Sequence, residues 1–257
     1  MKKKPWRRHP QPSLPRGPKL EEILEQINTL REEEKYEEIL TLVERAPLHL
    51  QRRPELMVAR GMALLALDDP RTAREVLEAA ARQAANYPPV HAVLALAYNA
   101  LDMIGHEIRS LRMALRNPEA LSPEIVADLQ SFYQNATEIL QHAAAEIGVS
   151  PQEAEDLLYL LETGQDAFYN EDFGATVRIA REAQRRVPGW WLPYALELDA
   201  LWYDGRMDEI LRRGTPLVER FPDSPGILAP LVYAAFFSGR RDLAEQYAEP
   251  LKGRRYE

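Results

Sequence analysis

The chain has 257 residues, of which 46% are hydrophobic and 28% charged, and its formal net charge is −8. This balance is typical of a soluble globular protein, and the length allows one large domain or two small ones. The sequence contains no cysteine, which excludes disulfides, thiolate metal sites and cysteine nucleophiles and favours a cytoplasmic location. No apolar run reaches the roughly 18 residues of a membrane span, so no membrane contact is expected.

Charge is distributed unevenly along the chain. Residues 1–19 hold seven Lys or Arg and no acid, whereas residues 117–177 hold 12 acids and no Lys or Arg. Residues 20–116 hold 12 basic and 16 acidic residues, and residues 178–257 hold 13 basic and 12 acidic residues, so both are closer to balance. The chain therefore combines a basic N-terminal arm with an acidic centre.

The basic arm, residues 1–19, also contains five prolines, which remove backbone donors and predict a disordered segment. Its first residues set a tryptophan among basic side chains, namely Lys2, Lys3, Lys4, Trp6, Arg7 and Arg8. This pattern is typical of segments that contact phosphate in nucleic acid or anionic lipid. The alternatives are a solubilising extension and docking onto the acidic centre. Because the rest of the chain is acidic, nucleic-acid binding would rest on the arm alone.

From Leu20 onward, apolar residues recur at intervals of three and four, which predicts amphipathic helices and no sheet. Helix starts are predicted at Asp69-Pro70 and Ser122-Pro123. Helix ends are predicted at Gly148, Gly205 and Gly239. Between residues 122 and 148 the apolar pattern is unbroken, which predicts one central helix of about 24 residues. This helix is either a stretched repeat or, as we favour, a connector between two blocks.

Two sets of three segments align without gaps at a period of 34 residues. Equivalent positions are Ile39, Ala73 and Glu107 in the first set and Thr176, Ile210 and Ala244 in the second. One helical hairpin of this length cannot bury its apolar face alone, so neighbouring hairpins are expected to stack. The sequence therefore predicts an all-α helix-turn-helix repeat solenoid.

The period resembles that of the tetratricopeptide repeat family, although each repeat is degenerate. The matching residues are Gly61 and Gly164 at the close-packing point, Tyr98, the small residues Ala73, Ala80, Ala114 and Ala183, and the closing prolines Pro188 and Pro222. The resemblance covers roughly residues 20–118 and 150–257. It implies a right-handed superhelix with a concave surface that holds a partner segment. The expected organisation is a disordered arm (1–19), about three repeats (20–118), a long central helix (119–149) and about three repeats (150–257).

No constellation of residues indicates catalysis. The five histidines are scattered, and His142 with Glu146 is an ordinary solvated pair four residues apart. No nucleophile elbow, phosphate-binding loop or dinucleotide fingerprint is present. We therefore expect a protein that is not an enzyme, with no catalytic residues, no metal site and no cofactor.

The acidic centre has two interpretations, a solvated face or a negative field that steers a basic partner. The residues predicted to form the acidic steering surface are Glu153, Glu155, Asp156, Glu162 and Asp166.

Three aromatic doublets recur at the 34-residue period: Phe168-Tyr169, Trp202-Tyr203 and Phe236-Phe237. They indicate either packing between helices or a ladder of rings that binds a partner. The equivalent positions of the first block, such as Asn99-Ala100, are not aromatic, which favours binding. The predicted groove comprises the three doublets together with Trp190, Trp191 and Asn99.

These observations predict a non-catalytic scaffold, adaptor or regulatory subunit that binds another protein, through a basic surface or an extended segment of that partner. The alternative is a nucleic-acid-associated factor that contacts phosphate through the basic arm. Self-association through the apolar faces of the end repeats is a third alternative.

Overall fold

The computed structural model describes residues 19–252, and within that range it contains helices and connecting turns but no strand. The predicted all-α class is therefore confirmed. The α-helices of the described range are α1 (Leu20–Glu32), α2 (Tyr36–Arg45), α3 (Leu48–Gln51), α4 (Pro54–Ala66), α5 (Pro70–Gln83), α6 (Pro88–Asn99), α7 (Ile104–Ala114), α8 (Pro123–Ile147), α9 (Pro151–Tyr169), α10 (Phe173–Arg186), α11 (Leu192–Tyr203), α12 (Met207–Gly214), α13 (Pro225–Phe237) and α14 (Arg241–Ala248). None of these helices has both the length and the apolarity that crossing a bilayer requires.

Six turns of one geometry recur through the described range with the period of the repeats. The residues in the left-handed region, with φ between 55 and 74°, are Glu34, Asp68, Asp102, Glu171, Gly205 and Gly239. The N–H of the following residue donates to a carbonyl five residues earlier, as from Lys35 to Leu30 over 2.8 Å. Within each set of three turns the spacing is 34 residues, so the predicted sequence period is also a structural period.

The predicted helix boundaries are confirmed at both kinds of end. The Asp69 side chain accepts a hydrogen bond from the Thr72 N–H over 3.1 Å at the start of α5. Ser122 caps α8 in the same way. Gly148, at the end of α8, has a φ of 79° that residues with a Cβ rarely adopt.

The chain divides into two compact units, Met1–Ala97 and Tyr98–Glu257, with the boundary inside α6. In the described part of the first unit, α1, α2 and α4 enclose a core that includes Ile23, Ile39 and Leu56. Each of these side chains is almost completely buried. This core has its own apolar contacts and positions the helices of the first unit.

The second unit has a larger core, which α10 to α14 share. Leu198 of α11, Ile210 of α12 and Leu231 of α13 are fully buried in it. A smaller cluster around Leu157 and Leu161 packs beneath α9. These two clusters hold the C-terminal helices in a fixed arrangement, on which the candidate site depends.

The central helix α8 is one helix of 25 residues, at the place where the apolar spacing predicts about 24. It packs against both α7 and α9, and α7 and α9 also contact each other directly. The helix is thus inserted in the chain between two helices that stack as neighbours. The predicted blocks at 20–118, 119–149 and 150–257 stay a prediction.

Glycine permits close approach of helices at the two positions named from the sequence. A Cβ atom at Gly61 would lie 2.6 Å from Cγ of Leu77, and one at Gly164 would lie 2.9 Å from Cγ2 of Ile179. Both positions are therefore close-packing points, as predicted. A third such point, Gly105 at the start of α7, was not identified from the sequence.

Candidate functional site

The three aromatic doublets end the first helix of each pair in the second unit, namely α9, α11 and α13. On a helix, residues i, i+3 and i+4 lie on one face, so each doublet shares its face with the residue three positions before it. We name these nine residues the aromatic surface: Gln165, Phe168, Tyr169, Asp199, Trp202, Tyr203, Tyr233, Phe236 and Phe237.

Most rings of the aromatic surface are accessible to solvent. The exposed rings, with the fraction exposed, are Tyr169 (65%), Tyr203 (65%), Tyr233 (53%), Phe236 (56%) and Phe237 (67%). Phe168 and Trp202 are half-buried and pack against the core of the second unit. In the first two doublets one ring packs while its neighbour is exposed, and in the third both rings are exposed. Core packing therefore does not account for the doublets.

Ring contacts join the helices that carry the aromatic surface. Tyr203 of α11 packs edge-on against Phe168 of α9, with 5.1 Å between the ring centroids. Trp202, its neighbour in the chain, instead contacts α13, with its centroid 5.4 Å from that of Tyr233 and 5.6 Å from that of Phe237. One doublet of α11 thus connects the aromatic residues on both sides of it.

Asp199 is the charged residue of the aromatic surface, one turn before Trp202 on α11. Its side chain is half-buried. No described residue donates a hydrogen bond to it or forms an ion pair with it. Burial raises the pKa of Asp199 from 3.8 to about 6. At neutral pH the carboxylate is therefore largely ionised, although no cation of the described chain balances its charge.

Glu197, two residues earlier on α11, shows the opposite arrangement. It is 1% exposed and forms ion pairs with Arg181 at 2.7 Å and Arg213 at 2.8 Å. Burial alone would raise the pKa of Glu197, but hydrogen bonds from Arg213, Gln184 and Arg181 together hold it below its usual range. The chain therefore supplies counter-ions to one carboxylate of α11 and leaves the next one unpaired.

Two of the predicted steering residues, Glu155 and Glu162, lie inside the interface between α7 and α9. They are 3% and 6% exposed. Glu155 pairs with Arg112 at 2.7 Å, and Glu162 accepts hydrogen bonds from the backbone N–H groups of Gly105 and His106 at 2.8 and 3.0 Å. Both carboxylates are thus structural groups of this interface and do not belong to an accessible acidic surface.

The other three predicted steering residues are less buried. Asp156 pairs with Arg109 at 2.6 Å, so its charge is also neutralised within the chain. Glu153 and Asp166 are partly exposed. The sequence could not show this pairing, because Arg109 lies 47 residues away on another helix.

Accessible carboxylates of the acidic centre occur instead along α8. The exposed ones are Glu124, Asp128, Glu138 and Glu146. The segment that contains α8 has no Lys or Arg, so no cation on the helix itself offsets their charge. The negative field expected from the composition therefore has its accessible part on this helix.

Trp190 and Trp191 are not part of the aromatic surface. They precede the first residue of α11, whereas Trp202 lies 11 residues later, roughly 16 Å along a helix. Trp190 packs against the core cluster beneath α9, and Trp191, 39% exposed, lines a separate depression with Phe221. Their proximity to the doublets in the sequence does not bring them together in space.

Asn99, included in the predicted groove from its equivalence to the doublets, has a local role in the structure. Its side-chain amide donates a hydrogen bond to Oε1 of Glu107 over 3.1 Å. Glu107 is 1% exposed, and its pKa is raised by burial although the bond from Asn99 opposes that rise. Asn99 thus serves a buried carboxyl group.

The basic arm residues Lys2, Lys3, Lys4, Trp6, Arg7 and Arg8 lie outside the described range. Within that range, no group of three or more His, Asp or Glu side chains is arranged to hold a metal ion.

Three residues that the structure adds to the site were not identified from the sequence. Gln165, Asp199 and Tyr233 are spaced by 34 residues, so the period that revealed the doublets also contains them. They are not alike in chemistry, which concealed the pattern. Phe173 of α10 also stacks with Tyr203, at 6.1 Å between centroids.

No protein-family model matches the chain, and no curated protein matches its sequence. Solved helical structures are similar to it in fold. The TPR2AB domain of yeast Sti1, in a complex with pHSP90, is 19% identical, with a TM-score of 0.41 over 90% of this chain and 88% of that chain. The TPR domain of P58(IPK) is 14% identical, with a TM-score of 0.38 over 92% and 61%. The APC/C hetero-tetramer Cut9–Hcn1 gives 15%, 0.35, 87% and 44% for the same quantities.

The chain is a tetratricopeptide-like helical repeat protein. Its own geometry carries this statement, because the paired helices, the six equivalent turns and the close-packing glycines share one period.

Proposed function

We propose that the chain is a non-catalytic protein-binding subunit, a scaffold, adaptor or regulatory component, that holds a segment of a partner protein on the aromatic surface. The observation that supports this most directly is the row of five exposed rings on three successive repeats. Contiguous exposed apolar patches mark interaction sites, and tyrosine and tryptophan are the side chains enriched at the centres of interfaces.

A partner segment that follows the repeats would meet a similar set of side chains on each of three helices. The half-buried rings Phe168 and Trp202 fix the positions of their exposed neighbours, so little side-chain freedom is lost on binding. The exposed acids of α8 would favour a partner with a basic surface and would raise its association rate more than its affinity.

A triple variant tests this proposal. Tyr169→Ser, Tyr203→Ser and Phe236→Ser together remove exposed rings from all three helices. In affinity capture followed by mass spectrometry, we expect the wild-type chain to retain a partner and the triple variant to lose it by at least tenfold. The matched control is Ile125→Ser with Ile139→Ser, which removes two exposed apolar side chains from α8 and should retain the partner.

Circular dichroism separates binding from packing, since the exposed rings should leave the helical content unchanged when removed. Retention of the same partner by the triple variant would contradict the proposal. A loss of helical signal in that variant would show that the doublets act in packing.

The charge of the basic arm supports a second candidate, a nucleic-acid-associated factor that contacts phosphate through residues 1–19. Deleting residues 2–18 distinguishes the two. Under the first proposal partner capture survives the deletion, and under the second the retention of nucleic acid is lost while the body of the protein stays folded.

Two further expectations accompany the proposal. A cytoplasmic location is supported by the absence of cysteine. Self-association would use the same exposed rings, so light scattering of the wild-type chain and the triple variant should give different masses if the partner is a second copy.

A further inference from the structure

We propose that Asp199 and Trp202 bind an arginine side chain of the partner segment, with the carboxylate paired to the guanidinium and the indole ring against its face. This inference rests on the function proposed above and adds the chemistry of the partner. It concerns the centre of the aromatic surface, because α11 lies between α9 and α13, which it contacts on either side.

The first support is the state of Asp199 itself. A half-buried carboxylate without a hydrogen bond or counter-ion is unfavourable, because it has lost water without gaining a partner. Glu197 on the same helix is fully paired, so the chain does place arginines beside carboxylates in this unit. A cation from outside the chain would complete the environment of Asp199.

The second support is an arrangement that the chain already uses on α9. Asp156 and Tyr159 are three residues apart, and one arginine of α7 satisfies both. Nη2 of Arg109 lies 2.6 Å from Oδ1 of Asp156, and its guanidinium carbon lies 3.7 Å from the centroid of the Tyr159 ring. Asp199 and Trp202 repeat this spacing of carboxylate and ring on α11, but no arginine of the described chain pairs with Asp199.

The third support is the aromatic environment around this pair. Tyr233 and Phe237 lie beside Trp202, with centroids 5.4 and 5.6 Å away. The faces of such rings carry negative electrostatic potential and attract cations, and tryptophan attracts them most strongly. A planar guanidinium can stack on a ring while it donates two hydrogen bonds to a carboxylate, which an ammonium group cannot do. The combination therefore favours arginine over lysine.

The test uses the full chain and N-acetyl-arginine amide as the probe. The indole N–H signal of Trp202 in a proton–nitrogen correlation spectrum, assigned with Trp202→Phe, reports binding. We expect a saturable shift with this probe. N-acetyl-citrulline amide has the same shape without the charge and should bind at least tenfold more weakly.

The variant Asp199→Asn should weaken binding of the arginine probe at least tenfold. Asp204→Asn is the matched control, because Asp204 is exposed, follows the last residue of α11 and pairs with Arg206 at 3.3 Å. It should leave the affinity unchanged. An unshifted Trp202 signal in the free Asp199→Asn variant shows that its fold is intact.

Equal binding of the citrulline probe, or undiminished binding by Asp199→Asn, overturns the inference. Equal binding of N-acetyl-lysine amide overturns the assignment to arginine. A shift of the Trp202 signal on deletion of residues 2–18, reversed by a peptide of residues 1–19, would assign the site to the chain's own arm and overturn the partner. Partner capture does not depend on this probe, so the proposed function can stand if the arginine site fails.

Discussion

The carboxylates of α9 and α11 differ, residue by residue, in what the neighbouring helices offer them. Glu155 and Glu197 are both almost fully buried, and each is paired with two arginines. Asp199 has no such partner in the described chain. The sequence indicates an acidic stretch, but whether a given acid is buried, paired or free depends on residues tens of positions away.

A pH-dependent stability follows from the burial of Asp199. Burial raises its pKa from 3.8 to about 6 in the folded chain. Because the folded state holds this proton more tightly, the stabilising contribution is complete below pH 3.8 and is lost as the pH rises through about 6. Asp199→Asn removes the titration. We expect the variant to be more stable than the wild type by about 1–2 kcal/mol at pH 7.5, after allowance for the hydrated part of the side chain.

Urea unfolding at pH 4, 5, 6 and 7.5 measures this difference, which should become small at pH 4. Asp204→Asn is again the control, since an exposed carboxylate should change stability by less than about 0.5 kcal/mol at any of these pH values. A constant difference between Asp199→Asn and the wild type across the range would contradict the assignment of the shift to burial.

Between secondary-structure elements, the contact of α7 with α9 depends on the first turn of α7. The Glu162 side chain of α9 accepts the hydrogen bonds of two otherwise unpaired N–H groups at that turn. The backbone of α9 approaches so closely that a Cβ atom at Gly105 would lie 2.4 Å from the N atom of Tyr159. The sequence predicts both helices, but it does not reveal that they touch across the 25-residue helix between them.

Gly105→Ala should therefore weaken this contact, because the added methyl group meets backbone, which cannot move as a flexible side chain can. We expect a loss of about 2–3 kcal/mol in the free energy of unfolding, measured by urea denaturation. Gly174→Ala in α10 is the matched control, since the nearest atom to its Cβ is 3.6 Å away. That variant should be neutral or slightly stabilising because alanine favours helix. Similar losses in both variants would argue against the close approach.

Across the whole chain, six equivalent turns occur, and only two of them have the residue best suited to the geometry. Gly205 and Gly239 adopt positive φ without a Cβ penalty. Glu34, Asp68 and Asp102 occupy the equivalent position in the N-terminal part of the chain, and Glu171 does so at the start of the C-terminal set. A residue with a Cβ in this region costs about 1 kcal/mol or slightly more.

A quadruple variant with glycine at these four positions should be more stable than the wild type. The relief of backbone strain exceeds the entropy that glycine adds to the unfolded chain, so we expect a gain of about 2 kcal/mol in total. The reverse change, Gly205→Ala with Gly239→Ala, should cost about 2 kcal/mol. Thermal and urea unfolding measure both, and a stabilised double-alanine variant would disagree with the observed φ values.

The sequence by itself determined the features that depend on neighbouring residues: the helical class, the 34-residue period, the caps such as Asp69, and the turns. It could do so because helix periodicity, capping and turn geometry act over a few positions. The tertiary structure decided which side chains are accessible. It buried Glu155 and Glu162, separated Trp191 from Trp202, and left Asp199 unpaired beside the rings. These outcomes depend on contacts between helices distant in the chain, where a carboxylate's environment is set by whether another helix brings an arginine to it.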